Sequence, residues 1–586
     1  MKFFPNRFLL YSTIFITILI SVYATSDDLI KWPVDLPKSL SGTLCEIRGL
    51  SLHQGIDIKT RSRVGFPVYA ASSGKVIKLI SKETGYGNAI FLEHEDNLTS
   101  VYGHLDSFED FNHKLYTLSE TLKILYNNEK IYFRFFTGNI SYRKGDIIGY
   151  TGESGSGYPH LHFELREDGI FSNPMKYIDI KDDQSPVIER IFVCIENYNS
   201  TIKKKQIRIK QSWGRYYPVE NPVEITGTGR LFLKISCYDR ANAQNRVAIY
   251  KIKMFNNNNE IFNITFDLIN RIDFKYSHLI YDISRSSIDG HVSYTYFLCQ
   301  RKGNRYRGLK CSNKGYIESW NGENDIRIEV YDYAGNKSSA ELKIIKKNIE
   351  EKFIPNFLYV SKGKRSIIRS RTDSFSIIFD RGSIYRDTLI NVTDNFPKQL
   401  INSIAKSILI DPKDIIKIYQ VSPSDIIHRK PVKILIKKPE EVSKIEVENI
   451  LIYQFFKGKK PKPLKTEYNS KEENFTAVTR VNGYFALIKD TIPPGIYLPP
   501  THEFYEDKEF YRKIRFSTYD NLSMIDKDSI ECIVDGETFP FRFDNDRKWI
   551  EMSLPKRSIT RGEHHILIKI SDMASNQSVF RDLIIF

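Results

Sequence analysis

Short hydrophobic runs separated by glycines fill residues 38–180. In PVYAASSGKVIKLI (67–80) and AIFLEH (89–94), apolar residues recur with the period of two that puts alternate side chains on one face of a strand. A more polar and aromatic section at about 107–140 interrupts this pattern, and within it LSETLKILYNN predicts a short helix capped by Ser119. The pattern therefore predicts an N-terminal antiparallel β-sheet domain over residues 38–180, with an insertion at about 107–140.

Residues 185–586 repeat one turn motif between β-rich runs. Asp-x-Ala-x-Asn begins at Asp332 and again at Asp572, and a looser copy begins at Asp239. Asp and Asn tolerate left-handed backbone conformations and bond to their own backbone, so each copy predicts a tight hairpin. The motif supplies too few carboxylates for a calcium loop.

These hairpins resemble the final hairpin of bacterial immunoglobulin-like domains. The resemblance implies immunoglobulin-like β-sandwich modules over residues 185–348 and 491–586. Between them, the runs SFSIIFD, VKILIKK and GYFALIKD predict a further β-sandwich over residues 350–490, and Pro493 with Pro494 marks its end. The fold class expected for the chain is therefore mainly β, with several β-sandwich modules after the N-terminal β-sheet domain.

The first 24 residues have the layout of a secretory signal peptide. Lys2 and Arg7 precede the apolar run FLLYSTIFITILISVY, and small residues follow at a cleavage position. The alternative is an uncleaved membrane anchor, although the run is slightly short to span a bilayer. The sequence thus predicts an exported protein of the periplasm or cell envelope, bound to a membrane only if residues 1–24 are retained.

Composition narrows the set of partners. A hydrophobic content of 41% and an aromatic content of 13% fit globular domains. The formal net charge of +15 would suit an anionic envelope polymer or nucleic acid. The lysines are spread along the whole chain and no nucleic-acid motif is present, so the charge is interpreted as background composition and no nucleic-acid partner is expected.

The six cysteines show no Cys-x-x-Cys pair, which argues against a structural zinc ribbon or a thioredoxin-like site. Cys299 and Cys311 are close enough in the chain to close a small disulfide loop in an oxidising compartment. Free thiols at these positions fit the sequence equally well.

Candidate chemistry centres on PHLHFEL at 159–165. In a strand, His160 and His162 project from the same face about 6–7 Å apart, near enough to serve one site. A catalytic zinc uses three protein ligands and leaves one position open. His53 and Asp57 around a glycine, and His104 after a strand, offer further candidate groups within the same domain. Together these fragments predict a metal site in the N-terminal domain.

These residues resemble the lysostaphin-like (LytM-type) zinc metallopeptidases that cut peptidoglycan. The matching motifs are HQGID at 53–57, YGHL at 102–105 and PHLHFEL at 159–165. The similarity covers about 140 residues, a quarter of the chain. The sequence departs from the family pattern at Tyr158, which stands where the family runs Gly-Pro-His directly, and in the long insertion after YGHL.

The resemblance implies a role for each of five residues. His53, Asp57 and His162 would bind one zinc ion, with the fourth position left to water. His104 and His160 would not bind metal but would act on the attacking water and the scissile amide, as acid–base groups or as hydrogen-bond partners of the oxyanion.

Three functions follow from these observations. The first is an exported zinc metalloendopeptidase that hydrolyses peptide bonds in peptidoglycan cross-links or stem peptides, positioned by β-sandwich modules that contact an envelope protein partner. The second is a non-catalytic wall-binding regulator of another hydrolase. The third is an envelope scaffold or adhesion protein with an accessory peptidase domain. All five expected positions are filled, and this favours the enzyme.

Overall fold

The regular structure of the protein, seen in a computed structural model, is mainly β, as predicted. Among the described residues, no helix is long and apolar enough to cross a membrane. The predicted signal peptide, most of the insertion and the helix at Ser119 lie outside those residues. The structure describes residues 30–585 except for 50, 82–84, 110–132, 136–139, 157, 198–201, 242–243, 283–293, 319–322, 348–356, 386, 425, 444–445, 457–460, 499–504, 507–510, 545–547 and 557–558.

The N-terminal region folds into an antiparallel sheet. Its strands are β1 (Leu40–Gly42), β2 (Ile47–Arg48), β3 (Ser51–Leu52), β4 (Ile56–Lys59), β5 (Pro67–Tyr69), β6 (Gly74–Ser81), β7 (Asn88–Glu93), β8 (Leu98–Phe108), β9 (Phe133–Phe135), β10 (Ser141–Tyr142), β11 (Ile147–Thr151), β12 (His160–Glu167) and β13 (Ile170–Ser172). The main path through the sheet runs β1-β4-β12-β8-β7-β6-β10, and β2 pairs only with β3. β12 is therefore a central strand, flanked by β4 and β8.

The two faces of β12 differ in character. Leu161, Phe163 and Leu165 point into the hydrophobic core of the sheet and are fully buried. The alternate positions, from His160 onward, project from the opposite face, as the period of two in a strand requires. The core also includes Ile30, which precedes the predicted domain start. The alternation of apolar and polar residues thus separates the core from a polar face.

The second β unit (residues 187–347) contains two sheets. Its strands are β14 (Val187–Glu196), β15 (Ile202–Ile207), β16 (Ile209–Ser212), β17 (Arg215–Pro218), β18 (Val223–Thr226), β19 (Arg230–Tyr238), β20 (Lys251–Asn256), β21 (Asn259–Thr265), β22 (Leu268–Ile269), β23 (Thr295–Phe297), β24 (Leu309–Cys311), β25 (Glu323–Tyr331) and β26 (Lys337–Lys347), with the short helix α1 (Ser277–Ile280). One sheet has the order β15-β14-β19-β23, and the other has the order β16-β17-β26-β25-β20-β21-β24 with β18 beside β26.

The second β unit shares a hydrophobic core with the N-terminal sheet. Leu44, Leu52 and Phe171 belong to the same buried cluster as the inward-facing residues of β14, β19 and β25. β22 also pairs with β13 and so extends the N-terminal sheet. The two regions therefore stabilise each other through buried apolar surface and backbone hydrogen bonds.

Two further units follow along the chain. The third unit (residues 358–489) has strands β27 (Leu358–Val360), β28 (Ser366–Arg369), β29 (Phe375–Phe379), β30 (Thr388–Thr393), β31 (Ile415–Ser422), β32 (Ile427–Lys437), β33 (Ile450–Phe455), β34 (Lys462–Pro463), β35 (Glu467–Asn469), β36 (Asn474–Val481) and β37 (Tyr484–Lys489), with helix α2 (Lys398–Ile408). The fourth unit (residues 495–585) has strands β38 (Gly495–Tyr497), β39 (Tyr505–Glu506), β40 (Tyr511–Tyr519), β41 (Ile525–Val534), β42 (Glu537–Thr538), β43 (Phe541–Asp544), β44 (Trp549–Pro555), β45 (Glu563–Asp572) and β46 (Gln577–Ile585). Each unit consists of two antiparallel sheets around its own apolar core.

Two of the three predicted hairpins are confirmed. The motif at Asp332 joins the antiparallel pair β25 and β26, and the motif at Asp572 joins β45 and β46. At Asp239 the chain also turns back, through an antiparallel bridge between Asp239 and Val247, but the longer strands on either side, β19 and β20, lie in different sheets and do not pair. All six cysteines are free thiols, so Cys299 and Cys311 do not form a disulfide.

Candidate metal centre

The sequence-predicted site residues meet on the polar face of β4, β12 and β8. The antiparallel register places Asp57 on β4 and Gly103 on β8 directly opposite His162 on β12. His53 lies in the loop just before β4, and His104 follows Gly103 on β8. Pairing of these strands brings together side chains that are up to 109 residues apart in the chain.

Three donor atoms form a nearly equilateral triangle. His53 Nε2 lies 3.1 Å from His162 Nδ1, and each of these nitrogens lies 3.0 Å from Asp57 Oδ1. The three residues also satisfy the spacing expected of metal ligands, with their donor atoms within 4.8 Å of one another. All three side chains are buried, so the triangle is shielded from bulk solvent.

In each of the three residues, the ring nitrogen or carboxylate oxygen that lies outside the triangle has its own hydrogen-bond partner. His53 Nδ1–H donates to the carbonyl oxygen of Thr43 at 2.8 Å, and His162 Nε2–H donates to Glu164 Oε1 at 2.9 Å. Asp57 Oδ2 accepts from the Arg48 guanidinium at 2.8 Å. Outer hydrogen bonds of this kind select the tautomer and orientation of metal-binding side chains. They leave His53 Nε2 and His162 Nδ1 as the ring nitrogens that face Asp57 Oδ1.

The site holds a negative charge at its centre. Burial alone would raise the pKa of Asp57, but His53, His160 and Arg48 outweigh it and hold the pKa well below its usual value. Burial would lower the pKa of His162, but its hydrogen bonds to Asp57 and Glu164 raise it to about 9. The ionised carboxylate and the oriented imidazoles form an environment that favours a bound cation.

His104 and His160 form a second pair beside the triangle. Their ring centroids lie 4.6 Å apart. His104 Nδ1–H donates to the carbonyl of Ser154 at 2.8 Å, and His160 Nδ1–H donates to the carbonyl of Tyr158 at 2.7 Å. In both rings the remaining nitrogen, Nε2, is therefore a hydrogen-bond acceptor.

The face-sharing predicted for His160 and His162 is confirmed. His160 Nε2 lies 3.5 Å from the Asp57 oxygen that His162 Nδ1 approaches at 3.0 Å. Tyr158, the departure from the family pattern, exposes 65% of its surface and contributes its backbone carbonyl to orienting His160. The departure therefore leaves the pair of histidines intact.

The backbone around His104 is strained and tightly held. His104 has a φ of +61°, a left-handed conformation that costs energy in a residue with a side chain. Its N–H donates to the carbonyl of Tyr86 at 2.8 Å, and burial together with the charges of His160 and His162 lowers its pKa well below the usual value. His104 is thus held as a neutral imidazole at a defined position.

Sequence reasoning missed the residues that support the site. Glu164 is the next same-face position after His162 on β12, and it is fully buried between His162, Tyr86 and Arg166. The period of two in PHLHFEL could have identified Glu164. No local signal points to Arg48 or Tyr86, because they reach the site only through the tertiary fold.

The fourth unit contacts the loop that holds His104. Arg542 Nη2 donates to the carbonyl of Glu153 at 2.8 Å, and Arg515 Nη2 lies 3.5 Å from Glu153 Oε1. Glu153 is adjacent to Ser154, whose carbonyl accepts from His104. The far C-terminal end of the chain therefore lies against one side of the candidate site.

An antiparallel sheet with two histidines and one aspartate converging on its polar face defines a β-sheet domain with a candidate metal centre. Residues 51–114 match the model of peptidase family M23. The N-terminal part of this chain therefore contains a domain of peptidase family M23, as the motif resemblance predicted. The matched segment contains His53, Asp57 and His104, whereas His160 and His162 lie beyond it.

Two curated relatives each match a quarter of this chain or less. The DD-carboxypeptidase/endopeptidase Mpg of Neisseria meningitidis serogroup B is 32% identical over 125 residues, which are 21% of this chain and 22% of the relative. The murein hydrolase activator NlpD of Salmonella typhimurium is 26% identical over 150 residues, 25% of this chain and 31% of the relative. The chain thus spans less than a third of the length of these two relatives.

One solved structure covers a similar share of the chain. The catalytic domain of the prophage-encoded M23 protein EnpA of Enterococcus faecalis is 26% identical and covers 24% of this chain and 92% of that chain, with a TM-score of 0.18.

Proposed function

We propose that this protein is an exported zinc metalloendopeptidase that hydrolyses peptide bonds in the cross-links or stem peptides of peptidoglycan. The observation that supports it most directly is the triangle of His53 Nε2, Asp57 Oδ1 and His162 Nδ1 beside two histidines that present acceptor nitrogens. Export to the periplasm or cell envelope would place the protein where its substrate lies.

The donor set fits zinc. Two imidazole nitrogens and one carboxylate oxygen are a ligand set of catalytic zinc sites, which leave one position open. Zinc–ligand bonds of about 2.0–2.1 Å in a tetrahedron separate the donor atoms by about 3.3 Å, close to the 3.0–3.1 Å edges of the triangle. A bound zinc would supply Lewis-acid chemistry, lowering the pKa of a water and polarising the scissile carbonyl.

His104 and His160 are the proposed catalytic residues. Because the Nδ1–H of each ring is tied to a backbone carbonyl, each Nε2 is available to accept the proton of the attacking water. An imidazole that has accepted this proton can donate it to the leaving amine. The other of the two histidines, when protonated, would donate a hydrogen bond to the developing oxyanion.

The three C-terminal units are the proposed positioning elements. We interpret the second and fourth units as immunoglobulin-like β-sandwiches and the third unit as a further sandwich, because each packs two sheets around an apolar core. They would hold the peptidase domain at peptidoglycan or bind an envelope protein partner.

A second candidate is a non-catalytic regulator of another hydrolase. It is favoured by one observation, that a relative over this domain is named a murein hydrolase activator. The two functions make different predictions for purified protein on purified sacculi. An endopeptidase releases muropeptides by itself, whereas an activator releases them only when a second hydrolase is added.

Mass spectrometry of the released muropeptides tests the proposal. We expect zinc-loaded full-length protein to release fragments cut within a cross-link or a stem peptide. The matched control is the His160→Ala variant loaded with zinc, which should release none. Release that needs an added hydrolase, with the product pattern of that hydrolase, would support the regulator instead.

A further inference from the structure

Two clusters of three aspartates lie outside the candidate zinc site. The first aspartate cluster consists of Asp182, Asp239 and Asp332, and the second consists of Asp490, Asp520 and Asp572. In each cluster, one carboxylate oxygen from every residue lies within 4.8 Å of the others. The two full copies of the hairpin motif contribute Asp332 and Asp572, and the looser copy contributes Asp239. The other three aspartates come from other parts of the chain.

The first cluster is built at the junction between the N-terminal domain and the second unit. Asp182 lies in the segment before β14, Asp239 follows β19, and Asp332 opens the turn between β25 and β26. Asn336 joins two of the three: its N–H and Nδ2 donate to the two oxygens of Asp332 at 2.8 Å each, and Nδ2 also donates to the Asp182 carbonyl at 2.9 Å.

The second cluster repeats this arrangement at the junction between the third and fourth units. Asp490 follows β37, Asp520 follows β40, and Asp572 ends β45. Asn576 donates to the two oxygens of Asp572 at 2.9 and 2.8 Å and to the Asp490 carbonyl at 3.0 Å. The same framework of three hydrogen bonds therefore occurs at two separate junctions, each made by residues far apart in the chain.

The carboxylates of both clusters lack a basic counter-charge among the described residues. Within the described part of the chain, none of the six carboxylates has a Lys, Arg or His nitrogen within 4.0 Å. Four of them, Asp239, Asp332, Asp490 and Asp572, are no more than 4% exposed. Burying ionised carboxylates together is costly unless a counter-charge is present.

One buried oxygen in each cluster has no hydrogen-bond partner, and it belongs to the corresponding residue in both. Asp239 Oδ2 accepts from the Ala241 N–H at 3.2 Å, but Oδ1 has no donor. Asp520 Oδ1 accepts from the Leu522 and Met524 N–H groups, but Oδ2 has no donor. Buried carboxylate oxygens without donors are rare, and a bound cation is one of the groups that satisfies them.

The pKa values of three of these aspartates are raised, which also indicates that the clusters favour added positive charge. Burial, followed by the charge of Asp182, raises the pKa of Asp239 to about 7. Burial also raises the pKa of Asp332 to about 6, and the same cause raises that of Asp572 to about 6. The ionised form of these carboxylates is therefore disfavoured by burial in both clusters.

We propose that each aspartate cluster binds one calcium ion, which locks the segment before a β unit to two loops of that unit. All the available ligands are oxygens, and hard oxygen sets without imidazole or thiolate are typical of Ca²⁺ rather than Zn²⁺. The unpartnered oxygens of Asp239 and Asp520 are the ligands that only the ion satisfies. Calcium would thus stiffen the two junctions that connect the peptidase domain and the last unit to their neighbours.

Calorimetric titration of the full-length protein with calcium tests this proposal. The protein is first stripped with EGTA, dialysed and reloaded with one equivalent of zinc. We expect two calcium ions per chain, one after either Asp239→Asn or Asp520→Asn, and none in the double variant. The control variant Asp183→Asn, an exposed neighbour of the first cluster, should still bind two.

Thermal unfolding of the same variants distinguishes stabilisation of the clusters by a bound cation from stabilisation by protonated carboxyl groups. If calcium holds the clusters, it raises the melting temperature of the wild-type chain, and this gain is smaller in each single variant. Absence of calcium uptake by the wild-type chain would overturn the proposal, whether or not the variants fold. A calcium-induced rise in melting temperature that is equally large in the wild-type chain and in both single variants would also overturn it, because calcium would then act at another place.

Discussion

The ring nitrogens of His160 and His162 have different partners. His162 turns Nδ1 into the triangle and Nε2 toward Glu164, whereas His160 ties Nδ1 to a backbone carbonyl and keeps Nε2 free of a strong partner within the described residues. The two imidazoles lie on one strand two residues apart, and His162 is the one that belongs to the triangle with His53 and Asp57.

At the residue scale, this difference predicts distinct outcomes for two alanine variants. His162→Ala should lose zinc and activity together, because one of three ligands is removed. His160→Ala should keep zinc and lose activity about 10²–10⁴-fold, the usual contribution of an acid–base group. Zinc content by mass spectrometry and muropeptide release are the two measurements, with the exposed His565→Ala as control. Equal zinc loss in His160→Ala would contradict the division of roles.

Glu164 provides a second test at the same scale. Its carboxylate accepts from His162 Nε2 and is held by Arg166 at 2.6 Å. Glu164→Gln keeps the shape of the side chain but removes the charge, so zinc affinity should fall about 10–100-fold. Competition with a chromogenic chelator measures this affinity. The control is Glu167→Gln, because Glu167 lies on the same strand but contacts Lys176 and Tyr177 instead of a site histidine. Unchanged affinity in Glu164→Gln would show that its hydrogen bond does not support the metal.

At the scale of elements, close contact between two loops positions His104. Gly87 has a φ of +61°, and a Cβ at this position would lie 2.0 Å from the Ser154 carbonyl oxygen that accepts from His104. Gly169 also has a positive φ, of +76°, but a Cβ there would meet no atom within 4 Å. Alanine at Gly169 therefore introduces backbone strain alone, whereas alanine at Gly87 introduces backbone strain and steric overlap.

Gly169→Ala should cost about 1–2 kcal/mol of unfolding free energy, the penalty of a left-handed conformation alone. Gly87→Ala should cost about 1–3 kcal/mol more, because the loop at Ser154 must also move. Urea unfolding measures both values. Only Gly87→Ala should also reduce activity, since it displaces the partner of His104; equal stability and activity in the two variants would argue against a tight contact between the loops.

At the scale of the whole molecule, the N-terminal domain is not an independent body. Its residues Leu44, Leu52 and Phe171 lie in the core of the second unit, and Thr43 donates to the Ala248 carbonyl at 3.1 Å. At the other end of the chain, Arg542 contacts the loop beside His104. The candidate site is thus supported by residues from three of the four units.

This shared core predicts the behaviour of fragments. A fragment of residues 38–180 exposes the apolar surface around Leu44, Leu52 and Phe171, so it should bind a hydrophobic dye and aggregate. A fragment of residues 30–347 keeps this surface covered and should unfold in one cooperative transition. Size-exclusion chromatography and circular dichroism compare the two. A monomeric, cooperatively folded 38–180 fragment would show that the shared core is dispensable.

The sequence by itself determined the features that depend on local backbone geometry. The period of two placed His160 and His162 on one face of a strand and also marks Glu164, and Asp-x-Ala-x-Asn predicted the turns at Asp332 and Asp572. These predictions succeeded because alternation along a strand and turn conformation depend on residues only a few positions apart.

Only the tertiary structure decided which distant groups meet. Register between β4 and β12 sets Asp57 against His162, which is 105 residues away, and packing brings Arg48 and Tyr86 to the outer side of the site. The looser motif at Asp239 was predicted as a hairpin, and it also supplies a carboxylate to a cluster across two sheets. Contacts of this kind depend on strand order and on burial of apolar faces over the whole molecule, which no local pattern specifies.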